Sequence, residues 1–155
     1  MNYEQARAYA VNVSRSGSIL GLDSIENLMH ELGDIQERLK IIHIAGTNGK
    51  GSTGAYLERV LIEAGYRVGR YSSPAVFDPM EVWRINLQSM SHEEYADIME
   101  QVKCACDRMV EKGMEHPTIF EVETAMAFLY FYQKKCDYVL LEVGMGGRTD
   151  ATNLI

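Results

Sequence analysis

The sequence predicts an α/β fold: a mostly parallel sheet flanked by helices. Residues 40–45 and 138–143 are almost continuously apolar, which suits strands covered on both faces and not half-exposed antiparallel ones. Segments with apolar residues at helical spacing alternate with them. Each chemically suggestive segment also follows the end of a predicted strand, where ligands sit in open α/β sheets.

Taken in chain order, residues 3–14 and 22–32 read as two amphipathic helices, parted by the loose segment 14–18 and closed by Gly33. The strand at 40–45 runs into a glycine-rich turn, then a helix from about Ser52 to Ala64 stopped by Gly65. Residues 66–71 read as a second strand, which completes a strand–helix–strand unit. Ser91 and Glu94 form a capping box that opens a helix to about Lys112, stopped by Gly113. Thr118 and Glu121 repeat that pattern after Pro117, and Val122, Ala125, Met126, Leu129 and Tyr132 continue it as a helix to about Lys135. A strand at 137–143 follows, and no internal repeat or low-complexity tract is present.

The turn after the first strand is the most informative segment. Gly46, Gly49 and Gly51 let the main chain turn tightly and approach an anion, and Lys50 adds a point charge. Ser52 and Thr53 then open a helix whose free N–H groups favour negative charge. The segment therefore reads as a nucleotide-triphosphate loop, with a glycine-rich turn that binds nothing as the bland alternative. The strict P-loop spacing is not met, because Ile44 stands where its first glycine belongs and Gly51 follows the lysine.

Composition narrows the classes. The 155 residues suit one domain, and 46% hydrophobic residues suffice for a packed core. A formal charge of −7 argues against a general nucleic-acid or anionic-membrane binder. No apolar run approaches a bilayer span. Cys104, Cys106 and Cys136 form an odd set without CxxC spacing, and no signal segment opens the chain, so a reduced cytoplasm is the expected setting.

Glu142 ends an otherwise apolar strand, where an unpaired buried carboxylate would cost several kcal/mol. It needs a cation. Magnesium bridging ATP phosphates would serve, since Mg²⁺ takes one or two protein oxygens plus waters and phosphate oxygens. An arginine such as Arg148 would serve as well, leaving a purely structural carboxylate. Ser73 could offer its hydroxyl to the same ion, although a Ser-Ser-Pro turn is most often only a turn.

The loop Ala45-Gly46-Thr47-Asn48-Gly49-Lys50-Gly51-Ser52 closely resembles the variant loop of the folylpolyglutamate synthase/dihydrofolate synthase family, a branch of the Mur-type ATP-dependent amide ligases. The resemblance extends to Leu20-Gly21-Leu22, Tyr71-Ser72-Ser73-Pro74, Thr118-Ile119-Phe120-Glu121 with Thr124 to Phe128, and the block from Leu141 to Asn153, which is the most specific. It implies a Mur-ligase ATP-binding domain. Thr47, Asn48, Gly49, Lys50, Gly51 and Ser52 would hold ATP, and Ser73 and Glu142 would hold Mg²⁺, with Lys50 and Glu142 as the catalytic pair. The pterin-bearing substrate would lie near Gly21, Leu22 and Asp23, near Thr118, Phe120 and Glu121, and near Arg148, Thr149, Asp150 and Ala151. Two departures stand out: Ala75 replaces the histidine usual after Ser-Ser-Pro, and Glu81-Val82-Trp83 replaces Glu-Arg-Ile. Trp83, Phe77 and Tyr71 could stack on a flat pterin ring, or could anchor local packing.

The chemistry the resemblance implies is glutamate addition to folate, dihydropteroate or both. ATP phosphorylates a carboxylate, and the glutamate amine displaces phosphate from the resulting acyl phosphate. The family continues past Asn153 with a further magnesium-binding histidine, a modified lysine and a glutamate-binding domain. Residues 1–155 are therefore expected to be a truncated amino-terminal ATP-binding domain, inactive alone and monomeric at full length, with small molecules as its partners.

Two alternatives remain from the same residues: a sibling Mur-type ligase, or a non-catalytic ATP-binding module if the chain ends naturally at Ile155. His43 reads as a packed strand residue, and His30, His92 and His116 as surface residues. Cys104 and Cys106 fall roughly 200° apart around a helix, which argues against a shared metal. No nucleophilic elbow is recognisable.

Overall fold

A computed structural model describes residues 1–17, 23–44, 50–73 and 75–142, with Lys50 and Gly51 as backbone only. Helices α1 (Tyr3–Ser14) and α2 (Asp23–Glu31) lead to strand β1 (Ile41–Ile44). Helix α3 (Lys50–Glu63) and strand β2 (Val68–Tyr71) follow, then the hairpin β3 (Trp83–Ile85) and β4 (Gln88–Ser89). Helices α4 (His92–Glu111) and α5 (Ile119–Gln133) precede strand β5 (Tyr138–Glu142).

The sheet order is β1-β5-β2-β3-β4. The three strands read from the sequence pair in parallel, Ile41 opposite Val139 and Val68 opposite Tyr138. The hairpin extends one edge antiparallel, Tyr71 opposite Trp83 and Ile85 opposite Gln88, which makes the sheet mixed. Its turn holds Asn86 and Leu87 at φ 46° and 70°, the left-handed pair of a two-residue hairpin, without the glycine that usually announces it. Asn86 also secures the start of β2, its N–H donating to Val68 O and its Oδ1 accepting from Val68 N.

Helix α3 starts at Lys50, two residues before the expected Ser52, so the hydroxyls of Ser52 and Thr53 sit exposed in its first turn. Strand β2 starts at Val68 and not at Tyr66. Gly65 and Tyr66 are still closing the helix, Gly65 N donating to Ile62 O and Tyr66 N to Leu61 O in the Schellman pattern with Gly65 at φ 92°, while the Arg67 backbone bonds to Asp137 and Tyr138 ahead of the strand. Three helices begin at observed caps. Asn2 and Gln5 form a reciprocal box on α1, Ser91 and Glu94 form the expected one on α4, and Thr118 caps α5.

Each face of the sheet has its own cover. Ile42, Ile44, Val68 and Leu140 pack under Leu57, Leu61 and Ile62 of α3. Tyr71, Val139 and Leu141 face the larger core of α1, α2, α4 and α5. Helix α5 is buried on almost every side from Glu121 to Phe131, which explains its lack of a polar face. It lies between the sheet and the other helices of that layer.

Candidate functional site

Strand β5 is the middle of the three parallel strands, and its last residue, Glu142, lies opposite Ile44 of β1. On its other side Tyr71 of β2 lies opposite Leu141. The end of β1 at Ile44 and the Ser72-Ser73 segment leaving β2 therefore flank Glu142. The β1–α3–β2 connection covers one face and the α4–α5 connection into β5 the other, which makes this end of the sheet a topological switch point. Ser73 is half-buried, and Ser72 N donates to Val82 O at 3.0 Å, which ties this segment to the sheet edge.

Glu142 does have a cationic partner in this structure, and it comes from β2. Arg70 Nη2 donates to Glu142 Oε1 at 3.1 Å, while Arg70 Nη1 donates to Glu58 Oε1 of α3, also at 3.1 Å. Arg84 Nη2 lies 3.6 Å from the same Glu58 oxygen. Arg70 is 6% exposed and Glu58 1%, so the pair is buried between α3 and the sheet, and Glu142 reaches out from it at the strand end. Sequence reading missed this cluster, though signals for it existed. Glu58 falls among Leu57, Leu61 and Ile62 on the inward face of α3, and Arg70 interrupts a short buried strand. Two opposite charges on facing buried surfaces are expected to meet.

The donor set suits Mg²⁺. Glu142 keeps a second carboxylate oxygen besides the one on Arg70, sits at the open end of the sheet, and has a hydroxyl segment beside it. Among the described residues no group of three or more His, Cys, Asp or Glu side chains could hold a metal, which excludes there a closed transition-metal cage but not an ion bound by one carboxylate, waters and phosphate.

At the same end, on the opposite face, α5 begins. Thr118 Oγ1 donates to Glu121 Oε1 at 2.8 Å and accepts from Glu121 N at 3.4 Å. Glu121 thus spends one oxygen on the cap hydroxyl and not on the cap N–H that a reciprocal box would use. Its Oε2 is buried without a hydrogen-bond partner among the described residues. Phe120 is half-buried against the main core, and Asp23 is exposed in the first turn of α2, in the layer across the sheet from α3. Gly21, Leu22, Thr47, Asn48, Gly49, Arg148, Thr149, Asp150 and Ala151 lie outside the described residues.

The aromatic candidates divide. Trp83 and Tyr71 are each 1% exposed, their rings stacked on one another at 6.3 Å, and Trp83 Nε1 donates to Glu123 O of α5 at 3.1 Å. They are core anchors closed to a pterin ring. Phe77 is 93% exposed. Its loop is held by Glu81, whose Oε1 accepts from Val76 N and Phe77 N, and these bonds hold the carboxyl below the usual range.

Several of the remaining reactive groups make packing contacts. His92 stacks on Tyr3 at 3.7 Å, and His116 Nε2 lies 2.7 Å from Tyr9 Oη. Cys104 is exposed and Cys106 buried, on different sides of α4. Burial pushes the Cys106 and Cys136 thiols up to about 12, which suits inert core groups better than nucleophiles.

No protein-family model matches the chain. It is 38% identical to the dihydrofolate synthase/folylpolyglutamate synthase of Bacillus subtilis over 154 residues, covering 99% of the chain and 36% of that protein. It is 40% identical to the dihydrofolate synthetase of Saccharomyces cerevisiae over 136 residues, 88% of the chain and 31% of that protein. A solved folylpolyglutamate synthase complex with AMPPCP and folate superposes with a TM-score of 0.90 at 34% identity, covering 100% of this chain and 38% of that one. A bifunctional folylpolyglutamate synthase/dihydrofolate synthase with Mn, AMPPNP and L-glutamate bound gives 0.85 at 38% identity, covering 97% and 36%. The chain spans about a third of the length of the curated relatives it matches. With this likeness in sequence and fold along its whole length, the chain belongs to the folylpolyglutamate synthase/dihydrofolate synthase family.

Proposed function

We propose that this chain is the ATP-binding part of an ATP-dependent ligase that joins L-glutamate to folate, to dihydropteroate or to both through an acyl phosphate. The observation that supports this most is the meeting of three parallel strand ends at Glu142, with α3 starting at Lys50 beside them.

In this reading the amides around Thr47, Asn48, Gly49, Gly51 and Ser52 bind the phosphates, and the N-terminal end of α3 favours their charge. Lys50 neutralises charge on the β- and γ-phosphates during transfer, a positioning and electrostatic task. Glu142 and Ser73 would hold Mg²⁺, which would supply neutralisation of the phosphate charge. Thr118, Phe120 and Glu121 lie at the same sheet end and orient the acceptor, together with Gly21, Leu22, Asp23 and the segment from Arg148 to Ala151. Transfer of the γ-phosphoryl group makes the acceptor carboxylate a competent acyl donor. The amine of glutamate then attacks its carbonyl carbon, the C–O bond to phosphate breaks, and an amide and phosphate result. Among the described residues no helix is long and apolar enough to cross a membrane, and we place the protein in the cytoplasm as a monomer at full length.

The test is phosphate release by the protein at its full natural length with Mg-ATP and glutamate, comparing dihydropteroate, tetrahydrofolate and no acceptor. Release that requires a pterin acceptor and is abolished by Lys50→Ala with the fold intact is the expected result. Acceptor-independent release, or a Lys50→Ala variant with near-parental turnover, would overturn it.

A further inference from the structure

The buried partners of Glu142 bear on how it meets a divalent cation, an inference that rests on the proposed role of Glu142. A guanidinium presents its donors in a rigid fork, so anchoring one arm orients the other. In Arg70 one arm is anchored on buried Glu58 and the other reaches Glu142 Oε1. The fork has little room to move. A Cβ on Gly54 of α3 would come 3.0 Å from Arg70 Nη2 and 3.0 Å from Ile44 Cδ1, a tight fit that packs the helix closely on the guanidinium.

The same fork creates an electrostatic difficulty. A full positive charge at hydrogen-bond distance from a carboxylate competes with any second cation there and repels a divalent one, all the more where water is excluded. Glu58 answers it. Its carboxylate cancels the charge of Arg70 while holding the guanidinium in place, and the half-buried Arg84 lies farther off, at 3.6 Å from the same oxygen.

We propose that Glu58 is a positioning residue for the cation site: by neutralising and aiming Arg70, it leaves Glu142 oriented yet able to take Mg²⁺. A neutral residue at 58 would remove both the negative charge that offsets Arg70 and the anchor that aims it. A merely structural Glu58 would affect stability alone.

The experiment is a Mg²⁺ titration of the binding of fluorescently labelled ATP to the protein at its full natural length, with parallel binding in EDTA and thermal melting without ligand. Glu58→Gln should raise the half-saturating Mg²⁺ concentration about tenfold without weakening binding in EDTA. Glu58→Gln with Arg70→Met removes both charges and should return it to within roughly threefold of the parent. A folded Glu58→Gln variant with parental Mg²⁺ dependence, or a double variant as impaired as the single, would overturn the inference. If Glu58→Gln does not fold, Arg84→Met at the half-buried position decides. It should lower the requirement by about twofold by leaving Glu58 wholly to Arg70, and an unchanged requirement would refute the inference. A parent that binds no nucleotide at any Mg²⁺ concentration would remove the ligase reading and this inference together, whereas parental behaviour of Glu58→Gln removes this inference alone.

Discussion

The ring of Phe131 occupies the space where a side chain on Gly69 would stand. A Cβ at Gly69 would come within 2.6 Å of Phe131 Cδ1 and 2.7 Å of Cγ. Gly69 is in the middle of β2, and Phe131 is a fully buried residue of α5, so this contact sets how closely the helix approaches the sheet. Gly69→Ala is expected to destabilise the protein by about 2 kcal/mol, the usual range for an overpacked core. Combining it with Phe131→Leu should recover part of the loss, because the smaller side chain vacates the clash. Urea unfolding of both variants measures this, and a Gly69→Ala variant as stable as the parent would show that α5 can move away from the sheet at little cost.

The cap of α4 separates two contributions of one residue. Ser91 Oγ accepts from Glu94 N at 3.1 Å, and Glu94 Oε2 accepts from Ser91 N at 2.9 Å. Glu94 also receives Lys134 Nζ at 2.7 Å and Tyr130 Oη at 3.1 Å, tying the start of α4 to the end of α5. Ser91→Ala removes the cap alone and should cost about 1 kcal/mol. Glu94→Ala leaves the Ser91 Oγ cap on the backbone N–H of residue 94 but removes the reciprocal bond to Ser91 N together with the cross-tie, and it should lower the denaturant midpoint in its own right; an unchanged midpoint would mean that neither contributes.

Those caps also show what a linear reading could reach. Ser91, Thr118 and the glycine stops at Gly65 and Gly113 are local signals, and the helices they bound lie where expected because capping and left-handed turns are decided within a few residues. The apolar run that became β5 was legible for a similar reason, since burial on both faces leaves no polar residues to alternate, whereas β1 is an edge strand and three of its four residues are only partly buried. The hairpin of Trp83 to Ser89 was not, since its strands are three and two residues long and its turn lacks glycine. Nor was the partner of Glu142. Arg70 is remote from it in sequence, and only the parallel register of β2 with β5 brings the two together. Trp83 and Tyr71 could be read as ligand-facing or as packing because composition cannot tell which face of the β2–β3 pair is covered; the bond from Trp83 to Glu123 O and the burial of both rings under α5 settle it.

Glu123 provides a pH-dependent prediction. It lies in the first turns of α5, and burial pushes its carboxyl up to about 7, with Arg7 opposing the shift. Between its ordinary value of 4.5 and about 7, the folded protein retains a proton that the unfolded chain has lost. Folding stability from this group therefore falls as pH rises through that window and stays level above it. Glu31, Glu81 and Glu94, whose carboxyls are held below the usual range, act in the opposite direction, so the parent's total profile mixes both signs. Glu123→Gln keeps those three groups and abolishes only the raised one. Urea unfolding of parent and variant at pH 5 and pH 7.5 should show the parent losing on the order of 2 kcal/mol more than the variant over that interval. Parallel profiles would mean that water reaches Glu123 in the folded protein and that it titrates as an ordinary surface carboxylate, which would in turn loosen the packing drawn above between Trp83 and the first turns of α5.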